Sequence, residues 1–178
     1  RLDPLKRVDR LLFCLPALFK REQKSVCVIV GDGYENGRLK RMCRDSGIQE
    51  RVIFTGFLPR DKVIDLHNAS DIFVALSDYS NCGNGLWEAM ACAKCIVTID
   101  NNEGTREAIK SGYNGILISP HELDRLPEIL LDLLNNEKQR QELGMNTRMV
   151  AQGLLESWDS RIEKEVRLIE KLVRSSAR

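Results

Sequence analysis

The stretch ASDIFVALSDYSNCGNGLWEAMACAKCIVTID, residues 69–100, decides the fold. Its run at 71–76 (DIFVAL) is apolar, β-branched and aromatic, and reads as a strand. A polar loop rich in small residues follows, with Gly83 and Gly85 near its end. Residues 84–92 then have the composition of a helix, and 95–99 (CIVTI) is a second strand. Strand, helix and strand in this order pair their strands in parallel, because an antiparallel partner would need only a tight turn.

The same alternation extends outward in both directions. On the N-terminal side, 26–30 (VCVIV) is a strand that runs into a turn at Gly31-Asp32-Gly33, and 34–45 is a helix ending near Gly47. Residues 52–55 (VIFT) form a strand stopped by Gly56, and 59–69 a short helix with Pro59 in its first turn. On the C-terminal side come a short helix at 105–110 and a strand at 115–118. A helix at 5–19 opens the chain, with Pro16 interrupting it late. The last third turns helical. Leu123, Leu126, Leu130 and Leu133 share one face, as do Leu155, Trp158, Ile162, Val166, Ile169 and Val173. The reading is an α/β fold: a doubly wound, Rossmann-like parallel sheet with helices on both faces, plus C-terminal helices. Residues 1–178 are taken as a single domain and as a fragment of a longer protein.

Composition narrows the function. Lysine and arginine number 27 against 26 acidic residues. That balance lacks the concentrated positive field by which proteins displace counterions from nucleic acid. No run approaches the roughly 20 apolar residues of a membrane-spanning helix. The cysteines Cys14, Cys27, Cys43, Cys82, Cys92 and Cys95 lie mostly in apolar runs and read as reduced, partly buried thiols. Cys92-Ala-Lys-Cys95 has the spacing of a redox pair or half a zinc site. It lacks the second ligand pair, the only histidines being His67 and His121, and is read as a helix end meeting a strand start.

In doubly wound sheets ligands bind beyond the carboxyl ends of the strands. The loop at 77–89 is the richest of those ends. Its glycines permit close backbone approach, and the helix that follows presents free N–H groups and partial positive charge, a setting suited to phosphate. Glu88 lies about one turn into that helix, within reach of a polyol. The loop at Gly31 and Gly33 is a second candidate. With Asn36 where a third glycine would stand and no Walker lysine, it is neither a dinucleotide fingerprint nor a P-loop. The segment 101–107 is polar and precedes a helix that Thr105 could cap.

Taken in order, these segments resemble the C-terminal domain of the family-4 retaining glycosyltransferases, which have the GT-B fold. Arg1-Leu2 with Lys6-Arg7-Val8-Asp9 is similar to the family's "GRL…K" segment, 28–33 to "IVGDG", 52–58 to "V-x-F-x-G", and 69–77 to "ADIFVxPS". Glu88-Ala89-Met90-Ala91 matches "EAMA", Gly104-Thr105-Arg106-Glu107 resembles "GG-x-x-E", and Asn114-Gly115 resembles "NG". The resemblance implies a nucleotide-sugar donor, UDP- or GDP-linked, bound without metal or other cofactor. It implies that Arg1 and Lys6 hold the donor diphosphate and that Glu88 accepts from the ribose hydroxyls; these are the candidate catalytic residues. Gly56, Phe57 and Leu58 would cradle the base. Gly33, Ser80, Asn81, Gly83, Asn84, Gly85, Leu86 and Trp87 would line the rest of the donor cleft, the amides of 84–87 approaching the diphosphate.

Two positions depart from the family pattern. Ser80 stands where a glutamate eight positions before Glu88 is usual, with Asp78 or Asn81 as stand-ins, and Ala93 and Cys95 stand where "G-K-P" is usual. The expected partners are the nucleotide sugar, an N-terminal acceptor domain of the same enzyme, and a glycan or lipid-linked acceptor. The expected setting is cytoplasmic. The last helix is expected to pack on its own domain and cross to the N-terminal one. A basic rim at the inner face of a membrane is its second reading. Two alternatives accompany the transferase reading: an inactive transferase-like binding module, which Ser80 favours, and a GT-B-fold UDP-sugar epimerase.

Overall fold

In the computed structural model, which describes residues 1–78, 82–155 and 157–176, every strand pairing is parallel. β1 (Cys27–Val30) pairs with β2 (Val52–Gly56), and β3 (Ile72–Ala75) with β4 (Cys95–Ile99), which pairs in turn with β5 (Ile116–Ile118). The hydrogen-bonded ladders form a two-stranded and a three-stranded parallel sheet, where the sequence suggested one.

The helices are α1 (Val8–Arg21), α2 (Asn36–Asp45), α3 (Arg60–Ala69), α4 (Asn84–Ala91), α5 (Glu103–Ala108), α6 (Leu126–Asn135), α7 (Glu137–Leu154) and α8 (Trp158–Ser176). β4 shows how they cover both faces. All its residues are buried: Cys95, Val97 and Ile99 pack in a large core with α1, α2 and α6, whereas Ile96 points to a second core with Leu86, Met90, Ile109 and Ala151. Alternate side chains of a strand point to opposite faces, so a strand buried throughout must have helices on each side.

Several expectations change at the element ends. The first helix does not begin at residue 5. Pro4–Lys6 form a 3-10 turn, Arg7 takes a left-handed conformation (φ 49, ψ 41), and α1 begins at Val8. Pro16 does not end that helix, which continues to Arg21 because Leu12, Leu15, Leu18 and Phe19 are buried on its inner face. Packing there outweighs the lost backbone hydrogen bond. Pro59 is the N-cap of α3 rather than a residue of its first turn. Asn102, not Thr105, caps α5: its side chain accepts from the Thr105 amide at 2.9 Å, and Thr105 itself is buried.

The sequence reading left α7 without an assignment of its own. It packs on α4 and β4, and Gly144 is the point of contact, since a Cβ there would collide with the Ala93 carbonyl. The apolar stripe of α6 is buried as expected at Leu126, Leu130 and Leu133. That of α8 is not. Ile162, Val166, Ile169 and Val173 are about half exposed or more, which corrects the expectation that the last helix packs on its own domain. No helix of the described residues is long and apolar enough to cross a membrane.

Candidate functional site

The carboxyl ends of the strands are tied to one another by specific bonds. The Gly31 amide donates to the Gly56 carbonyl at 2.9 Å, joining the loops after β1 and β2. The Asn101 side-chain amide donates to the carbonyls of Ser77 (2.7 Å) and Asp78 (2.8 Å), joining the loops after β3 and β4. The buried Cys82 thiol donates to the Gly104 carbonyl at 3.3 Å and strengthens the same link.

The N-terminal segment lies across these loops. The Leu2 amide donates to Asp32 at 2.8 Å, the Glu35 amide to Leu2 at 3.3 Å, and the Asp78 amide to Leu5 at 3.0 Å. Leu2 is buried, so the segment is anchored by apolar contact as well. A Cβ on Gly33 would collide with the Leu2 backbone. The small residue at 33 is thus required by the chain's own packing, where the sequence suggested contact with a ligand. This seat puts Arg1 beside the turn after β1 and Lys6 beside the loop after β3. Arg1 is highly exposed, with a loose ion pair to Asp3 at 3.7 Å, and Lys6 is exposed with no ion pair among the described residues.

Asp78 is fully committed elsewhere. One carboxylate oxygen accepts from Arg7 at 3.0 Å, the other pairs with Arg10 at 2.6 Å, and Arg10 also donates to the Leu76 carbonyl at 2.7 Å. The hydrogen bond from Arg7, with the charges of both arginines, holds the Asp78 carboxyl below its ordinary range, and the hydrogen bonds to Asp78 and Asp9 raise Arg7 above its own. Asp78 therefore fastens the loop to α1. Both of its oxygens are engaged by arginines, so as a stand-in for the missing glutamate it would meet a donor sugar only through its remaining lone pairs. Ser80 and Asn81 lie outside the described residues.

Gly83 is the N-cap of α4 (φ −57, ψ 161), and no side-chain cap is seen among the described residues. Gly83 and Asn84 are exposed and Gly85 is half-buried, so the helix start faces outward. Leu86 is buried in the second core and can offer only its backbone; the half-buried Trp87 packs against that core. Glu88 follows one turn in, with a side chain 26% exposed that meets Arg60 at 3.9 Å. Arg60 is the first residue of α3 and leads directly from Gly56 (φ 68), the 85%-exposed Phe57 and the half-buried Leu58. Glu88 is thereby brought to the loop after β2. The structure gives no bond from Arg1 or Lys6 to Glu88. They approach the strand ends from the β1 and β3 loops, and Glu88 from α4.

The remaining candidates resolve as structure. Cys92 is the C-cap of α4 and Cys95 begins β4, so their spacing follows from a helix end and a strand start. No group of histidine, cysteine or acidic residues among the described residues could hold a metal ion. Burial pushes the thiols of Cys14 and Cys27 to about 12 and that of Cys95 to about 11. Asn114, fully buried, accepts from the Lys110 amide and donates to the Ala108 carbonyl at 2.9 Å. Sequence reasoning missed Arg60, Asn101 and the Arg7–Asp78–Arg10 cluster. Arg60 carried a signal: a cation at a helix start opposes the helix dipole and calls for a partner elsewhere.

The parallel strands thus carry the Gly31–Gly33, Gly56–Leu58 and Gly83–Gly85 loops at their carboxyl ends, with Glu88 one turn into the helix that follows the last of these. Comparison with known proteins gives the family. Residues 1–150 match glycosyl transferases group 1, and the chain belongs to that family. It is 30% identical over 168 residues to the GDP-mannose-dependent alpha-(1-6)-phosphatidylinositol monomannoside mannosyltransferase of Mycolicibacterium smegmatis, covering 90% of this chain and 43% of the relative. It superposes on a point mutant of S. aureus TarM, in complex with Fondaparinux, alpha-GlcNAc-glycerol and UDP, with TM-score 0.85 and 25% identity, over 94% of this chain and 34% of that one. It has the fold of the C-terminal domain of the group 1 family protein LpcC from Francisella tularensis, with TM-score 0.76 and 21% identity, over 86% of this chain and 81% of that one. The fold is thus that of the C-terminal half of a GT-B glycosyltransferase. The chain spans under half the length of the curated relatives it matches.

Proposed function

We propose that this chain binds a nucleotide-diphosphate sugar as the donor domain of a retaining, metal-independent glycosyltransferase that acts on a glycan or lipid-linked acceptor. The observation that carries the reading is the start of α4: a glycine-led, outward-facing helix N-terminus with Glu88 one turn within it and the Gly56–Leu58 loop across from it. The helix end and the cations Arg1 and Lys6 supply positive charge for a departing diphosphate, so its developing negative charge needs no metal ion. Glu88 offers its carboxylate to vicinal hydroxyls, and the exposed Phe57 with the backbone of Gly56 and Leu58 offers a surface for the base. The relatives that use GDP-mannose and bind UDP support a nucleoside diphosphate as the leaving group.

The test is turnover by the full-length protein with UDP- and GDP-sugars in the presence of a chelator, with the anomeric configuration of the product read by NMR. Transfer that survives chelation and keeps the donor's α configuration supports the reading. Inverted product, or activity abolished by chelator and restored by a divalent cation, contradicts it. A second reading, an inactive binding module, is favoured by Ser80 standing where the family usually has a glutamate and by the commitment of Asp78 to two arginines. It predicts nucleotide binding without turnover in the same assay.

A further inference from the structure

Glu88 is three-quarters buried, yet among the described residues it accepts no hydrogen bond and has one ion pair, to Arg60. A carboxylate withdrawn from water needs compensation. Arg60 supplies it from an unusual place. It is the first residue of α3, where the helix dipole disfavours a cation, and where Asp61 beside it is the residue that the dipole favours. Local helix physics therefore gives no reason for an arginine at 60; the interaction that uses its charge lies across the cleft on α4.

The same face of α3 carries a second polar group, which packs against β3. His67 is two turns along, 7% exposed, with its Nε2 unpartnered and its ring tilted against Phe73 at 5.5 Å. The charge of Glu88 acts on it, opposing the desolvation that holds the imidazole neutral. Arg60, at 3.9 Å, is the one cation paired with Glu88 among the described residues, and it draws the carboxylate toward the start of α3 and the Gly56–Leu58 loop.

We propose that Arg60 is a positioning residue for Glu88, holding its carboxylate extended at the cleft mouth so that both oxygens can receive the 2′- and 3′-hydroxyls of a ribose. This rests on the donor-site reading above. Arg60 itself keeps its exposed side chain in water and acts through Glu88, so its contribution belongs to the ribose and not to the base or the phosphates.

The experiment is calorimetric titration of UDP and GDP, each beside its 2′-deoxy counterpart, into the full-length protein and its Arg60→Ala, Arg60→Lys, Glu88→Gln and Arg60→Ala/Glu88→Gln variants. Arg60 is 81% exposed, so its replacement leaves the fold intact. For the tighter-binding nucleotide, Arg60→Ala is expected to raise Kd about threefold, the scale of an exposed ion pair. Arg60→Lys should restore most of that affinity. The effect should shrink with the 2′-deoxy nucleotide, which keeps only the 3′-hydroxyl, and vanish in the Glu88→Gln background. An equal loss for ribose and deoxyribose forms, or a loss that persists without the Glu88 carboxylate, would show that Arg60 acts on the phosphates or base and would overturn the proposal. No change in Arg60→Ala would overturn it while leaving the donor site standing. No binding of either nucleotide to the unaltered protein would overturn both.

Discussion

Replacing Gly33 with alanine separates a structural glycine from a ligand-contacting one. An added Cβ would run into the Leu2 backbone, which is held by hydrogen bonds of 2.8 Å to Asp32 and 3.3 Å from Glu35. If the N-terminal segment shifts to make room, the cost is that of overpacking, about 1–3 kcal/mol. If it is expelled instead, the loss is the burial of Leu2, roughly 2 kcal/mol, plus the three backbone hydrogen bonds of the segment at about 1 kcal/mol each. The expected destabilisation therefore lies between about 1 and 5 kcal/mol, read from the urea midpoint at constant slope. Nucleotide affinity should fall with it, because the displaced segment carries Arg1 and Lys6. Gly37→Ala is the matched control: its exposed site on α2 has room for a methyl, which would meet the Arg41 side chain at an ordinary 3.7 Å, so it should stabilise by about 0.5–1 kcal/mol. A Gly33→Ala protein within about 0.5 kcal/mol of the parent would refute the seating of residues 1–6 across the loops.

Other outcomes follow from the same geometry. Ala93 holds a left-handed conformation (φ 56) where the family usually has glycine, so Ala93→Gly should stabilise by about 1 kcal/mol in thermal unfolding. The Asp78 carboxyl is held below its unfolded value by Arg7 and Arg10, so its contribution is present above the unfolded pKa of about 4 and is lost as pH falls through the lower folded value. Urea midpoints taken between neutral and acid pH should show that loss in the parent and less of it in Asp78→Asn. Leu130→Ala, in the core, should cost about 3 kcal/mol, whereas Ile169→Ala on the exposed face of α8 should leave this domain's own unfolding within about 0.5 kcal/mol. Buried and with their thiols pushed to about 12 and 11, Cys14 and Cys95 should react with a disulfide reagent at neutral pH only as fast as the chain unfolds.

The strands and most helices were legible because their signals are local. Runs such as CIVTI at 95–99 and the glycines that end them announce themselves whatever surrounds them. Where packing decides, the sequence misled. Pro16 continues in helix because buried leucines hold α1, and α7 had too few apolar residues for its stripe to stand out, its contact resting on Gly144 against Ala93. The candidate site divides the same way. Glu88 and the glycine turn were readable from spacing. The partners that position them, Arg60 for Glu88 and Arg7 with Arg10 for Asp78, are separated by up to 71 residues in the chain and become visible only when the fold brings them together. The stripe of α8 was legible as amphipathic, but no pattern along one helix can say whether its face is covered.

The central claim is that the start of α4 and Glu88 form a nucleoside-diphosphate site. Its most direct test is calorimetry of the folded protein with UDP, GDP and ADP, beside the Glu88→Ala variant. The account predicts that at least one nucleotide binds with a submillimolar Kd and that Glu88→Ala weakens it about tenfold or more, the worth of hydrogen bonds to a charged group. A folded protein that binds none of them below millimolar concentration, or that binds one equally well without the Glu88 carboxylate, would contradict it.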